Sequence, residues 1–356
     1  MPIESTQNKP KETKRDINEL WDKPYKGLSL EGRSVTLREY FREMSLYYKT
    51  VFENTKTVFD LQNIPENKYI LFIDATEGAG LASDPIINTL DHDIVDELYI
   101  SETGHGENNK KFNFQSDNMR YCLGIKEDDK RFKVIKTHNH FKEQIPNDIN
   151  ENCIGVISSG SGADIKGDED IEHILMKIKL SDFFKKLPED TPKFGICFSA
   201  QLMANVYSGA EIDFIYGKEN GEPERRVGVH QIFRTIDHEF LNDFEEKFYV
   251  GKNHGQEIKA KSILPEHGEI LSVNKEGGVE ILNLKKVNAI VTQFHPEAGF
   301  VRLMLSYILE NKEVPEEVLK HVFSREYDSM REAFFPAVLQ TIGEHLKQKH
   351  SLRDPQ

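Results

Sequence analysis

Lys193-Phe194-Gly195-Ile196 runs straight into Cys197, and Phe198-Ser199-Ala200-Gln201-Leu202-Met203-Ala204-Asn205-Val206 follows with no turn residue between them. A short apolar strand that passes through a glycine into a cysteine, with a helical apolar pattern beginning at once, leaves the backbone few paths. It must leave a sheet, reverse sharply at the cysteine and enter a helix. Such a turn lifts the apical side chain above the edge of the sheet. The pattern predicts an α/β fold and makes Cys197 a candidate nucleophile. Taken alone, a cysteine after a strand is usually a small buried hydrophobe, so the reading needs partners.

Partners occur downstream and upstream. Thr292-Gln293-Phe294-His295-Pro296-Glu297 supplies an imidazole and a carboxylate two residues apart, completing with Cys197 the residue types of a Cys-His-acid triad. Ile154-Gly155-Val156-Ile157-Ser158-Ser159-Gly160-Ser161-Gly162 reads as a strand ending in a small-residue loop. Asn253-His254-Gly255-Gln256 is a polar cluster between the two.

In this order, these four segments resemble the class I, or triad, glutamine amidotransferase family, over about residues 66–310. The resemblance implies an open, mostly parallel sheet flanked by helices, flavodoxin-like in arrangement. It also implies roles: Cys197 as nucleophile, His295 as base and then acid, and Glu297 as the group that orients the imidazole. Backbone N–H groups at Phe198 and in Gly160-Ser161-Gly162 are expected to face the oxyanion, and Gln201, Asn253, Gly255 and Gln256 to hold the substrate. His254 is expected to be structural. One residue departs from the family pattern: Ser199 stands two after the nucleophile, where glycine is usual, and calls for different packing of the elbow. Ser161 also stands where a second glycine is common.

Further strands are expected at 68–74, 132–137, 209–212, 226–232, 279–284 and 289–294, from apolar runs bounded by polar residues. The stretch 226–232 and the following Thr235-Ile236-Asp237-His238-Glu239-Phe240 also resemble family segments. Active sites of open α/β sheets lie at strand carboxyl ends, which would bring Cys197 and His295 together. Around this catalytic unit, residues 1–33 read as a flexible arm and 34–65 as a helical extension, with apolar residues at helical spacing over 35–58. Residues about 77–131 read as an insertion, and 311–356 as a C-terminal helical extension whose apolar stripe is interrupted by Pro336. The terminal stripes are read first as packing on the chain itself, and second as a face for a homo-oligomer or a partner.

A formal charge of −14 and a pI near 5.5 disfavour nucleic acid and anionic membrane as partners. No apolar run approaches the ~20 residues of a bilayer span, and the sequence starts without a basic-then-apolar leader pattern. Three cysteines, Cys122, Cys153 and Cys197, suit neither a disulfide framework nor a zinc ribbon; a reducing, cytoplasmic setting is expected. His138-Asn139-His140 lacks companion ligands at metal-site spacing, and Glu77-Gly78-Ala79-Gly80 lacks the rest of a phosphate loop. No metal and no cofactor are expected.

The leading functional expectation is hydrolysis of the glutamine side-chain amide through a thioester, with ammonia passed to a separate acceptor-activating enzyme. The family's Ser-Gly-Gly-x-Asp-Ser pyrophosphatase loop is absent, which places the acceptor site on another polypeptide or ends the reaction at hydrolysis. A γ-glutamyl hydrolase or peptidase using the same triad is the alternative enzyme. A non-catalytic interaction module that kept the fold is the third reading.

Overall fold

The computed structural model describes residues 22–30, 33–40, 43, 64–75, 114–125, 129–137, 149–168, 170–217, 221–297 and 326–351. Its centre is a nine-stranded sheet. The strands are β3 (Tyr69–Asp74), β4 (Phe132–Lys136), β5 (Cys153–Ser158), β6 (Lys193–Ile196), β8 (Arg226–Arg234), β9 (Lys247–His254), β11 (Glu269–Asn274), β12 (Val279–Leu284) and β13 (Ala289–Thr292), in the spatial order β4-β3-β5-β6-β13-β12-β11-β8-β9. The first five in that order pair in parallel, and the remaining pairings are antiparallel. The parallel half consists largely of apolar runs because both its faces are covered.

Helices α2 (Ile171–Lys186) and α3 (Phe198–Ser208) cover one face. They bury Met176, Leu180, Phe183, Phe184, Leu202 and Met203 against Leu71, Ile73 and Val291. Helix α1 (Phe114–Cys122) and helix α4 (Glu326–Ser351) cover the other, where Phe334, Phe335, Val338 and Ile342 pack with Ile70, Phe72, Ile154 and Phe294. α4 continues through Pro336 as one helix. Its stripe from 333 to 346 is buried in the chain's own core, so these apolar residues are not open to a second copy.

The antiparallel half curls. Although β9 lies at the far edge of the sheet, Gly251 in β9 accepts a 2.9 Å hydrogen bond from the N–H of His295, just past β13. The strands β13, β12, β11, β8 and β9 therefore close on themselves almost as a barrel, with a buried polar cluster among apolar side chains. Inside, Lys252 of β9 donates to Glu280 of β12, and Asn274 of β11 donates to the same Glu280 oxygen at 2.7 Å. A short antiparallel pair, β7 (Ile212–Phe214) with β10 (Gln256–Ile258), lies beside this unit.

At the amino end, β1 (Pro24–Leu30) pairs antiparallel with β2 (Arg33–Thr36). The arm read over 1–33 thus ends in an ordered strand, and the helix expected from residue 35 gives way to strand at Val35 and Thr36, both β-branched. Residues 37–40 are helical; most of the remainder of the 35–58 stripe lies outside the described residues. So do Glu77-Gly78-Ala79-Gly80, His138-Asn139-His140 and all of the 77–131 insertion except 114–125 and 129–131. The expected strand at 209–212 begins at Ile212, and β9 and β11 were not anticipated.

Candidate active site

Three adjacent parallel strands end side by side. Register pairs Ser158 of β5 with Gly195 of β6, and Ile196 of β6 with Thr292 of β13. Cys197 follows β6 directly, Gly160 lies two residues beyond β5, and His295 lies three beyond β13. Parallel register therefore delivers the loop, Cys197 and His295 to one edge of the sheet.

Cys197 sits at the apex with φ 51° and ψ −107°, a conformation that non-glycine residues rarely adopt. Strain of this kind costs on the order of 1–3 kcal/mol and persists where the surroundings impose it. Here the Cys197 N–H donates to Thr292 O at 2.7 Å, and Cys197 O accepts from the Gln201 N–H at 3.0 Å, locking both sides of the turn. Gly195 makes room beneath it: a Cβ there would lie 2.9 Å from Met203 Sδ and 3.0 Å from Ser199 O. The sulfur stands at the N-terminus of α3, where unsatisfied N–H groups favour negative charge.

His295 Nδ1 lies 2.8 Å from Glu297 Oε1, and the imidazole is also hydrogen-bonded to Cys197. Burial pushes the imidazole's pKa down, but the charges of Cys197 and Glu297 and their hydrogen bonds outweigh it and raise the ring to about 10. Glu297 is fully buried, and its carbonyl accepts from Asn118 Nδ2 at 2.8 Å. Asn118 belongs to α1, so part of the insertion braces the segment that carries the acid. No local sequence pattern pointed to it.

The hydroxyl of Ser199 explains how the elbow does without its usual glycine. Ser199 Oγ donates to Ser159 O at 2.6 Å, which leaves Ser158 Oγ, 2.7 Å away, as donor to Ser199. All three serines are fully buried. The side chain thus staples the elbow to the β5 loop instead of opening it. Ser199→Ala should leave Ser159 O without this donor and lower stability by about 1–3 kcal/mol, read from the urea midpoint at unchanged m-value.

Gly160 is fitted even more closely. A Cβ at this position would lie 2.8 Å from His295 Cε1 and 3.3 Å from Cys197 Cβ. Gly160 is therefore the floor on which His295 and Cys197 meet, while Ser161 and Gly162 line the cavity above. Gly160→Ala should displace the imidazole and reduce kcat by about 10²-fold with little change in KM, since misplacement near 1 Å carries that cost.

The cavity has a volume of ≈ 140 Å³ and opens to solvent in front of Cys197. Of the expected site residues, Cys197, Phe198, Ser161, Gly162, Gln201, Asn253, Gly255 and Gln256 all line it. Phe198 begins α3, so its N–H has no helical partner. Gln201 Nε2 donates to Gln256 O at 2.8 Å. The Gln256 side chain, expected to meet substrate, is already engaged: Oε1 accepts from the N–H groups of Ile165 and Lys166, and Nε2 donates to Lys166 O. It ties down the loop beyond the small residues. His254 is buried, its Nδ1 2.8 Å from Gln256 O, and burial with the Lys252 charge holds its pKa well below the ordinary histidine value. It is a neutral imidazole in the wall. Sequence reasoning missed Asp164 and Arg225, which also line the cavity.

Similarity to known proteins agrees with this geometry. Residues 130–303 match the family Glutamine amidotransferase class-I. Over that stretch the chain is similar to class-I glutamine amidotransferases. Among curated proteins, the chain is similar to the carbamoyl phosphate synthase small chain of Clostridium acetobutylicum, 28% identical over 154 residues, or 42% of this chain and 37% of that one. It is also similar to a glutamine-hydrolyzing GMP synthase subunit of Methanopyrus kandleri, 26% identical over 156 residues, or 44% of this chain and 72% of that one. The matched region thus spans just over a third of the first relative and nearly three quarters of the second. Among solved structures, a glutamine amidotransferase from Thermotoga maritima shares the fold at a TM-score of 0.50 and 16% identity, over 77% of this chain and 98% of that one.

Among the described residues, no group of three or more His, Cys, Asp or Glu side chains is arranged to hold a metal ion. No helix among them is long and apolar enough to cross a membrane.

Proposed function

We propose that the protein hydrolyses the side-chain amide of glutamine through Cys197, His295 and Glu297, and supplies the ammonia to a separate acceptor-activating synthetase. The observation that carries this reading is His295 hydrogen-bonded at once to Cys197 and to a buried Glu297, beside a small cavity. In the first half-reaction Cys197 Sγ forms a bond to the amide carbon. The proton held on His295 passes to the amide nitrogen, the C–N bond breaks and ammonia leaves. Water then adds to the thioester as His295 takes its proton; the C–S bond breaks, and glutamate departs with the thiol restored. N–H groups of Phe198 and of the 160–162 loop face the oxyanion in both halves, each such donor accounting for about 2.7–4 kcal/mol of the barrier.

Two relatives are named as a small chain and a subunit of synthases, which supports a synthetase partner. The three cysteines are free thiols, and we place the protein in the cytoplasm. A glutamine-mimicking electrophile should label Cys197 and no other cysteine. Cys153 is buried with its pKa pushed up to about 11 by that burial, and Cys122 is buried with its thiol directed at Asn118. Ammonia release from glutamine by the wild type completes the test, repeated with co-purified partners. Faster release of amines from γ-glutamyl conjugates would replace the synthetase reading by the hydrolase one. Absence of labelling in every setting would leave only the non-catalytic module.

The pH profile follows from His295. With its folded pKa raised to about 10, the imidazolium needed to protonate departing ammonia persists well above the ordinary histidine range. The alkaline limb of kcat/KM, which reports the free protein, should therefore fall as pH approaches about 10. By linkage, the stability this group contributes is complete below its unfolded value and is lost as pH rises through the folded one.

A further inference from the structure

The cavity in front of Cys197 carries two opposite charges that the protein does not pair with each other. Asp164, in the loop after β5, and Arg225, immediately before β8, both line it. The Asp164 backbone is held, and Arg225 adjoins a paired strand. The Asp164 N–H donates to Asp168 Oδ2 at 3.0 Å, its carbonyl accepts from Lys177 Nζ at 2.7 Å, and the next two N–H groups are fixed by Gln256. Arg225 precedes Arg226, which pairs with His254 in the β8–β9 ladder and bridges Glu257 at 3.2 Å and Glu276 at 3.6 Å.

The charged ends are uncommitted. Among the described residues, neither the Asp164 carboxylate nor the Arg225 guanidinium has a hydrogen bond or ion pair. Burial first, and then the negative charge of Asp168, hold the Asp164 carboxyl above its ordinary value, while Arg225 acts in the opposite sense. A carboxylate in such surroundings gains from an added cation, and a guanidinium beside it from an added anion.

A γ-carboxamide amino acid brings both. At the end opposite the amide, an ammonium and a carboxylate share one carbon. Building on the glutaminase reading, we propose that Asp164 and Arg225 clamp the α-amino-acid end of the substrate, Asp164 receiving the ammonium and Arg225 the carboxylate. The site then selects glutamine or γ-glutamyl compounds with both groups free, and refuses glutamine inside a polypeptide, where neither charge exists. The cavity of ≈ 140 Å³ falls below the roughly 300–1,000 Å³ of pockets for drug-sized ligands, which suits a single amino acid.

The test matches charge removal in the protein with charge removal in the ligand. Dissociation constants are measured by calorimetry on Cys197→Ala protein, alone and combined with Asp164→Asn or Arg225→Gln. The ligands are L-glutamine, 4-carbamoylbutanoate, which lacks the ammonium, and 4-aminobutanamide, which lacks the carboxylate. Arg225→Gln should weaken glutamine and 4-carbamoylbutanoate about tenfold and leave 4-aminobutanamide unchanged; Asp164→Asn should weaken glutamine and 4-aminobutanamide about tenfold and leave 4-carbamoylbutanoate unchanged. In the active protein each variant should raise KM for glutamine far more than it lowers kcat. Uniform weakening of all three ligands, or none, overturns the clamp. If wild-type protein still releases ammonia and is labelled at Cys197 in that case, the glutaminase reading stands without it. Wild-type protein that does neither overturns both.

Discussion

Cys197→Ala should abolish ammonia release from glutamine, a loss of roughly 10⁴–10⁶-fold in kcat, because no other group lining the cavity can form the thioester. His295→Ala should cost about as much, and the double substitution little more, since nucleophile and base act as one unit. The control is stability. Alanine accepts the same strained turn no better than cysteine does, and the hydrogen bonds that hold it, Cys197 N–H to Thr292 O and Gln201 N–H to Cys197 O, come from the backbone. The urea midpoint should therefore move little while turnover and electrophile labelling vanish. A Cys197→Ala protein that kept wild-type turnover would place the chemistry elsewhere.

Lys252→Met should produce the largest loss of stability, about 3–5 kcal/mol, because it strands Glu280 as an uncompensated buried charge. Both side chains are fully inaccessible, and Asn274 remains as a neutral donor to the carboxylate. Burial raises the Glu280 pKa and lowers that of Lys252, and their attraction opposes both shifts. In the variant the opposition is gone, so the folded chain takes up a proton on Glu280 more readily than the unfolded chain does. The deficit should shrink as pH falls toward the ordinary carboxylate value and grow as pH rises. Lys252→Met/Glu280→Leu should recover much of the loss, since apolar replacements of a buried pair are often close to neutral. Urea titrations of wild type and both variants between about pH 5 and 8 check the ordering. A double variant less stable than Lys252→Met would mean that the pair is needed for something beyond its own charge balance, such as closing the curled half of the sheet near His295.

The parallel half of the fold was legible because its strands are short, mostly apolar runs between polar boundaries. Tyr69–Asp74, Cys153–Ser158 and Ala289–Thr292 appear where those runs lie. The curled half was less so. Lys247–His254 and Glu269–Asn274 mix charged and apolar residues, since their buried positions hold Lys252, His254 and Asn274 beside Phe248, Val250 and Leu271, and alternation of hydrophobicity then carries no clear period. The 35–58 stripe shows the opposite error: helical spacing extended back over Val35 and Thr36, where pairing with β1 prevails. At the site, Cys197, His295 and Glu297 stood out as candidates by residue type and local spacing, and strand register brings them to one sheet edge. Gln256 could be named but not assigned its work, since a side-chain amide on a strand looks the same whether it meets substrate or pins a neighbouring loop.

What the amino-acid order determined by itself is local: a strand that must turn at Cys197 into a helix, an imidazole and an acid two residues apart, and apolar runs of a length that only a covered sheet accommodates. Those follow from steric limits on the backbone and from periodic burial, which act over a few residues and leave their trace in the chain. Tertiary structure alone decided that Asn118 braces Glu297 from 179 residues away, that Ser199 staples the elbow to Ser158 and Ser159, that Lys252 meets Glu280, and that Asp164 and Arg225 face one cavity. These are single contacts between distant segments, fixed by strand register and sheet curl, and a one-time contact imposes no period on the sequence from which it could be read.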